Sequence, residues 1–216
     1  MKTKKNVIPV MLALFISGWT FFILALSPPV NADKQESETG TITGTVKVFR
    51  ARHSGNVVVY LESEGFKKEY PPPEKHTVLD QKNLVFIPRV LPILKGTTID
   101  FRNSDDVQHN IFAPGKVEKF NLGTWGLGGV REHTFNKPGE VIILCNVHSE
   151  MVAYIIILKN PYFAKTDPDG IFKIRNILPG TYVLKTWHEK MKSPSQEVTI
   201  VKGEVKEINL ELKKRK

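Results

Sequence analysis

From Gly40 onward the chain alternates between short apolar or β-branched runs and turn residues. Residues 41–48 (Thr-Ile-Thr-Gly-Thr-Val-Lys-Val) switch polar and apolar with period two, the mark of a half-buried strand, and 56–61 is a near-continuous apolar run of the fully buried kind. Residues 63–75 are charged and carry Tyr70-Pro71-Pro72-Pro73, which predicts a stiff junction rather than an element. Between His76 and Lys159 about seven strand patterns follow one another with turn residues between them. Four more are predicted at 170–175, 181–186, 197–201 and 205–212. No 3.6-residue periodicity runs through this part, so the pattern predicts an all-β chain of the sandwich type.

The strand count also suggests where the chain divides. Residues 76–159 hold enough strands for a self-sufficient sandwich. The stretch 160–213 does not, because about 50 residues make a meagre core. The two strands before the Pro-rich junction can complete it. The expected organisation is therefore a discontinuous sandwich, 40–62 with 160–213, into which 76–159 is inserted behind the 63–75 junction.

Residues 1–32 have a different character. Lys2, Lys4 and Lys5 precede an uncharged apolar stretch that ends at Pro28-Pro29-Val30-Asn31-Ala32. A basic start, an apolar middle and small residues at the end read as a secretory signal cleaved after Ala32. The competing reading is an uncleaved membrane anchor, since about 20 apolar residues can span a bilayer. Residues 33–39 are polar and predict a flexible lead. Either reading puts the folded part in the periplasm or elsewhere outside the cytoplasm. Net charge is +9, or +6 without the three lysines of residues 1–32. No aromatic-interleaved basic stripe accompanies it, which argues against nucleic-acid binding. The positive field suits an acidic redox partner, or association with an anionic membrane or cell surface.

An exported chain with 1 cysteine has no intramolecular disulfide to form. Its surroundings give that cysteine another use. Cys145 follows the strand-like run 139–144 in Leu144-Cys145-Asn146-Val147-His148-Ser149-Glu150-Met151. With 6 His and 4 Met in the chain, a His and a Met at these two offsets arise by chance roughly once in two thousand. A thiolate, an imidazole and a thioether so close together suit copper: blue-copper sites take two His, one Cys and a weak axial Met. The second His must come from elsewhere, and His109 in Val107-Gln108-His109-Asn110-Ile111-Phe112 is the candidate.

Other constellations carry less. Asp167-Pro168-Asp169-Gly170 opens like a calcium loop but lacks the later ligands, and predicts a turn. Gly123-Thr124-Trp125-Gly126-Leu127-Gly128-Gly129 lacks the Lys-Ser/Thr of a phosphate cradle and predicts a flexible loop. Trp187-His188-Glu189 reads as an exposed strand end, and His53, His76 and His133 as ordinary polar residues. With six His in all, the further His-rich centres of a multicopper catalyst have no material to form from.

His109-Asn110 followed at a distance by Cys-x-x-His-x-x-Met resembles the cupredoxins, plastocyanin and amicyanin among them, over about residues 76–159; the short Cys145–Met151 spacing is most similar to amicyanin. The resemblance implies a Greek-key β-sandwich and one type 1 copper. His109, Cys145 and His148 would be its equatorial ligands, Met151 the axial one, and Asn110 a brace for the ligand loop. Ser149-Glu150 departs from the apolar or Pro residues of amicyanin-like loops. Separately, 166–184, with Asp-Pro-Asp-Gly and Leu178-Pro179-Gly180, resembles a carboxypeptidase regulatory-like (transthyretin-like) domain, which implies fold and no catalysis. The expected function is one-electron transfer by an exported copper protein that is not an enzyme. Copper delivery and a metal-free binding or scaffold module are the alternatives.

Overall fold

The computed structural model describes residues 38–63, 68–192 and 194–214, so the expected signal or anchor at 1–32 and most of the 33–39 lead lie outside the described residues. All elements found among the described residues are strands. The central segment carries β3 (Thr77–Lys82), β4 (Val85–Ile87), β5 (Val90–Leu94), β6 (Thr98–Asn103), β7 (His109–Ala113), β8 (Phe120–Trp125), β9 (Val130–Thr134), β10 (Gly139–Leu144) and β11 (Val152–Leu158). Before it come β1 (Gly40–Val48) and β2 (Val58–Glu62). After it come β12 (Phe163–Lys165), β13 (Ile171–Ile177), β14 (Gly180–Trp187), β15 (Ser195–Ile200), β16 (Val205–Glu207) and β17 (Leu210–Leu212).

The central strands form two facing sheets, β4-β3-β6-β9 and β5-β11-β10-β7-β8. The alternating sequence of β6 explains its place: Ile99, Phe101 and Asn103 are buried, while Thr98, Asp100 and Arg102 look outward. From the opposite sheet Ile111, Val141, Ile143, Ala153, Ile155 and Ile157 meet Leu79, Ile99, Phe101 and Phe135 in one core. Packing of branched and aromatic side chains from both sheets is what a sandwich buries.

The flanking strands form a second pair of sheets, β12-β2-β14-β15 and β13-β1-β16, with β17 also on β1. Their core gathers Ile42, Val46, Val57, Val59 and Leu61 from the N-terminal side with Phe172, Ile174, Tyr182, Leu184 and Ile200 from the C-terminal side. β1 runs antiparallel to β13 and parallel to β16 and β17. Residues 205–212, which read as one strand, are two. Asn209 interrupts them because its Oδ1 accepts from Thr45 N (3.0 Å) and Thr45 Oγ1 (2.7 Å). Gly44 sits opposite this break, where a Cβ would run into the Ile208 carbonyl. A turn does form at Asp167-Pro168-Asp169-Gly170: Gly170 N donates to Asp167 O (3.0 Å), with Gly170 at φ +85°.

The two sandwiches meet at a small apolar cluster of Val58, Val90, Ile156 and Leu158, flanked by Tyr60, Tyr154, Phe163 and Trp187. Trp187-His188-Glu189 belongs to this seam rather than to an exposed end. Trp187 Nε1 donates to Glu140 (2.8 Å), and Glu189 pairs with Arg89 at 2.8 Å. Where the chain leaves β2 and returns to β12 the two passes are tied side by side: Leu61 N donates to Tyr162 O (3.0 Å) and Asn160 Nδ2 to Leu61 O (2.8 Å).

Candidate metal centre

β10 and β11 are antiparallel neighbours in register from Gly139↔Ile157 to Leu144↔Val152, so residues 145–151 form the connection at one end of that pair. β7 lies on the other side of β10, with Phe112 opposite Leu144. His109, the first residue of β7, therefore starts beside the connection that carries Cys145 and His148. The ligand atoms of His109, Cys145 and His148 all lie within 4.8 Å of one another. His109 is fully buried and Cys145 is buried, whereas His148 is half-buried. The Nδ1 atoms of the two imidazoles face each other at 3.1 Å, with ring planes inclined by 61°. Met151 closes the connection through its N–H to His148 O (3.1 Å), and its side chain is buried in the same core as Cys145 and Trp125.

Asn110 holds the pieces together. Its backbone N–H donates to Cys145 Sγ (3.4 Å). Its Nδ2 donates to Asn121 Oδ1 (2.9 Å) and Gly123 O (2.7 Å), and its Oδ1 accepts from Asn146 N (3.4 Å). Gly123-Thr124-Trp125, read as part of a flexible loop, is strand: Trp125 stands opposite His109 and Thr124 opposite Asn110. The pairing to β7 and the burial of Trp125 outweigh glycine's poor strand propensity. Gly123 (φ +78°) marks the irregularity, where the register slips between Asn110 and Phe112.

Behind His109 stands Asp105, which the sequence did not single out. Its Oδ2 lies 2.8 Å from His109 Nε2 and accepts from Leu84 N (3.0 Å), while Oδ1 accepts from Asn83 N (2.6 Å). Burial alone would raise the Asp105 carboxyl; the Leu84 N–H, the His109 ring and the Asn83 N–H outweigh it and hold the group below the usual carboxylate range. Asp105 and Asp106 are adjacent acids of equal promise in the sequence. Only the β3–β4 turn, packed alongside in space, distinguishes them.

The arrangement is chemically suited to a cation. A carboxylate can only accept, so His109 Nε2 carries the proton and Nδ1 presents its lone pair. Two imidazole nitrogens 3.1 Å apart need a proton or a cation between them. The Cys145 sulfur, a soft donor, adjoins them. The connection itself carries exposed Val147, and its Ser149 and Glu150 form an exposed hydroxyl–carboxylate pair at 3.3 Å.

The remaining histidines lie elsewhere. His53 is exposed. His76 Nδ1 bonds Asp100 Oδ1 (2.7 Å), and with Glu132, opposite Asp100 on β9, it forms a largely exposed group. Arg102 reaches Asp100 at 3.9 Å, so these charges already compensate one another. His133 is partly buried and stacks on Phe120 at 4.0 Å, a setting not legible from its spacing.

The family model "Polysaccharide lyase family 4, domain II" matches residues 158–208, from the last residue of β11 through β16. No curated protein matches the chain. Among solved structures, the copper-containing nitrite reductase of Thermus scotoductus SA-01 is 28% identical, with a TM-score of 0.38 over 46% of this chain and 25% of that one. The purple cupredoxin of Nitrosopumilus maritimus is 23% identical, with a TM-score of 0.35 over 38% of this chain and 99% of that one. A reduced Cu(I) form of an amicyanin variant is 16% identical, with a TM-score of 0.37 over 46% of this chain and 98% of that one. The chain thus spans a quarter of the nitrite reductase's length, and its similarity to each covers less than half of its own.

Proposed function

We propose that this chain is a mononuclear type 1 copper protein that passes single electrons between redox partners outside the cytoplasm. The observation that carries the reading is the convergence of one ring nitrogen each from His109 and His148 with Cys145 Sγ, all within 4.8 Å of one another. Two imidazoles and one thiolate are the donors copper prefers in such sites, and Met151, buried in the same core, is the weak fourth donor. Bound copper would supply a one-electron Cu(I)/Cu(II) couple.

The protein's own groups do the rest. Cys145 is shielded from solvent, which protects a lone thiol in an oxidising compartment. The Asn110 N–H aimed at Cys145 Sγ disperses charge on the thiolate. One hydrogen-bonded sheet, in which β7 adjoins β10, fixes the positions of His109 and Cys145, which limits rearrangement between oxidation states. His148, the half-buried ligand, is the route by which electrons come and go, and the basic excess of the chain favours an acidic partner. With two of the six histidines used here, the chain reads as a carrier rather than a catalyst.

The test is to add Cu(II) to the purified protein and record visible absorption and electron paramagnetic resonance. An intense thiolate-to-copper band with narrow hyperfine splitting is the expected result. A pale spectrum with ordinary tetragonal splitting would replace electron transfer with copper delivery. No uptake at all would make the chain a binding or scaffold module.

A further inference from the structure

We propose that Asp105 is a positioning residue of the metal centre, which locks His109 in the tautomer that turns its Nδ1 lone pair toward His148 and, as an anion on the far side of the ring, favours the more positively charged oxidised copper. The tautomer half of this inference stands on the protein alone; the redox half rests on the copper reading.

A buried imidazole has two nitrogens and no water to choose between them. His109 is fully buried, and what decides is the partner on each side. On one side is Asp105 Oδ2 at 2.8 Å, an acceptor without a proton to give. Nε2 must then be the protonated nitrogen, and Nδ1 is left as a lone-pair donor facing His148 Nδ1 at 3.1 Å. This is the carboxylate–histidine–metal arrangement by which an outer group orients a ligand and raises its basicity.

Asp105 can do this only if it is itself immobile, and the surroundings make it so. Its two oxygens receive the N–H groups of Asn83 and Leu84 at 2.6 and 3.0 Å. Both of those residues have positive φ (57° and 59°), a turn conformation that points successive N–H groups the same way. Its own N–H donates to Asn103 Oδ1 (2.9 Å), and Asn103 Nδ2 in turn donates to Val107 O and Trp125 O, both at 2.8 Å. The side chain is 12% exposed. A carboxylate needed only to close the β3–β4 turn has no reason to place the same oxygen against a buried ring. The geometry joins the turn, the acid and the ligand in a single hydrogen-bonded line.

Two measurements decide it. In the metal-free wild-type protein under alkaline conditions, nitrogen-15 NMR of the His109 ring should show protonated Nε2 and bare Nδ1; the opposite tautomer would overturn the proposal without any variant being made. In Asp105→Asn, Cu(II) affinity should fall tenfold to hundredfold, as it does when such outer partners are lost. Cu(I) affinity should fall less, so that the reduction potential rises. Equal losses for both oxidation states, or an unchanged potential, would reduce Asp105 to a prop for the turn. If the wild type takes up no copper, the copper reading fails and the tautomer alone decides whether Asp105 orients His109.

Discussion

Truncating Asn110 separates the scaffold of the site from its chemistry. Asn110 is 3% exposed, and its side chain joins β7 to β8 and to the connection after β10. Asn110→Ala removes donors at 2.9 Å to Asn121 and 2.7 Å to Gly123 O, and a long acceptor contact with Asn146 N. Asn121 Oδ1 keeps a partner, because Gly123 N still donates to it at 2.9 Å. Gly123 O loses its side-chain donor. Gly123 is exposed, so water takes up its carbonyl, and two modest hydrogen bonds at about 1 kcal/mol each give a loss of about 2 kcal/mol. For a chain of this size that is a fall in melting temperature of about 4–8 °C. The Asn110 backbone N–H survives the substitution, so its bond to Cys145 Sγ should persist. The assay is thermal unfolding of the metal-free protein followed by tryptophan fluorescence, with the copper absorption band recorded in parallel. A large drop in melting temperature with a nearly unmoved band is expected. A shift of less than about 1 °C would refute the bracing role.

Gly44→Ala should destabilise the protein by about 3 kcal/mol in urea unfolding, because β1 cannot keep its place against Ile208. Gly115→Ala, where a Cβ would meet nothing nearer than Glu118 O at 3.6 Å, should be close to neutral; similar losses from both would dismiss the steric argument. Met151→Gln should retain copper and lower the reduction potential, and an unchanged potential in voltammetry would show that Met151 is not a donor. Burial holds His133 below the ordinary histidine range against the opposing pull of Glu118, so the folded state prefers it neutral. The unfolded chain takes up that proton near pH ~6.5. The contribution of His133 is therefore intact above that pH and is lost as pH falls through the lower folded value. His133→Phe should flatten this part of the acid-unfolding curve, and an unaltered curve would contradict the assignment.

The all-β class could be read from the chain because short apolar or alternating runs recur between turns, with period two kept in strands such as β1 and β6. Local patterns misled where a distant partner decides. Residues 205–212 look like one strand until Thr45, 164 positions away, claims Asn209. Gly123 looks like loop until β7 pairs with it. His133 has no telling neighbours in sequence, yet Phe120 and Phe135 enclose it. For the candidate site, Cys145, His148 and Met151 share one short motif and are visible together. His109 is visible only by the needs of that ligand set. Asp105 is not visible at all, because its meaning depends on which of two adjacent acids faces the Asn83-Leu84 turn.

The pairing of β1 with β13, and of β2 with β14, has a consequence for how the chain matures. Each early strand waits for a partner that is synthesised well over a hundred residues later. At ribosomal speeds of about 5–20 residues per second, that is a delay on the order of 6–28 s. During it, the edges of β1 and β2 are open to any other strand they meet. The central strands have no such wait, since β10 and β11 are nearest neighbours in the chain as well as in the sheet. The order of assembly is therefore written into the connectivity: the middle of the chain can close first, and its closure brings Leu61 and Tyr162 to hydrogen-bonding distance. A newly made chain would then carry its finished centre before its ends are safe from aggregation, and slowing synthesis or crowding nascent chains together should harm yield through the flanking sandwich alone.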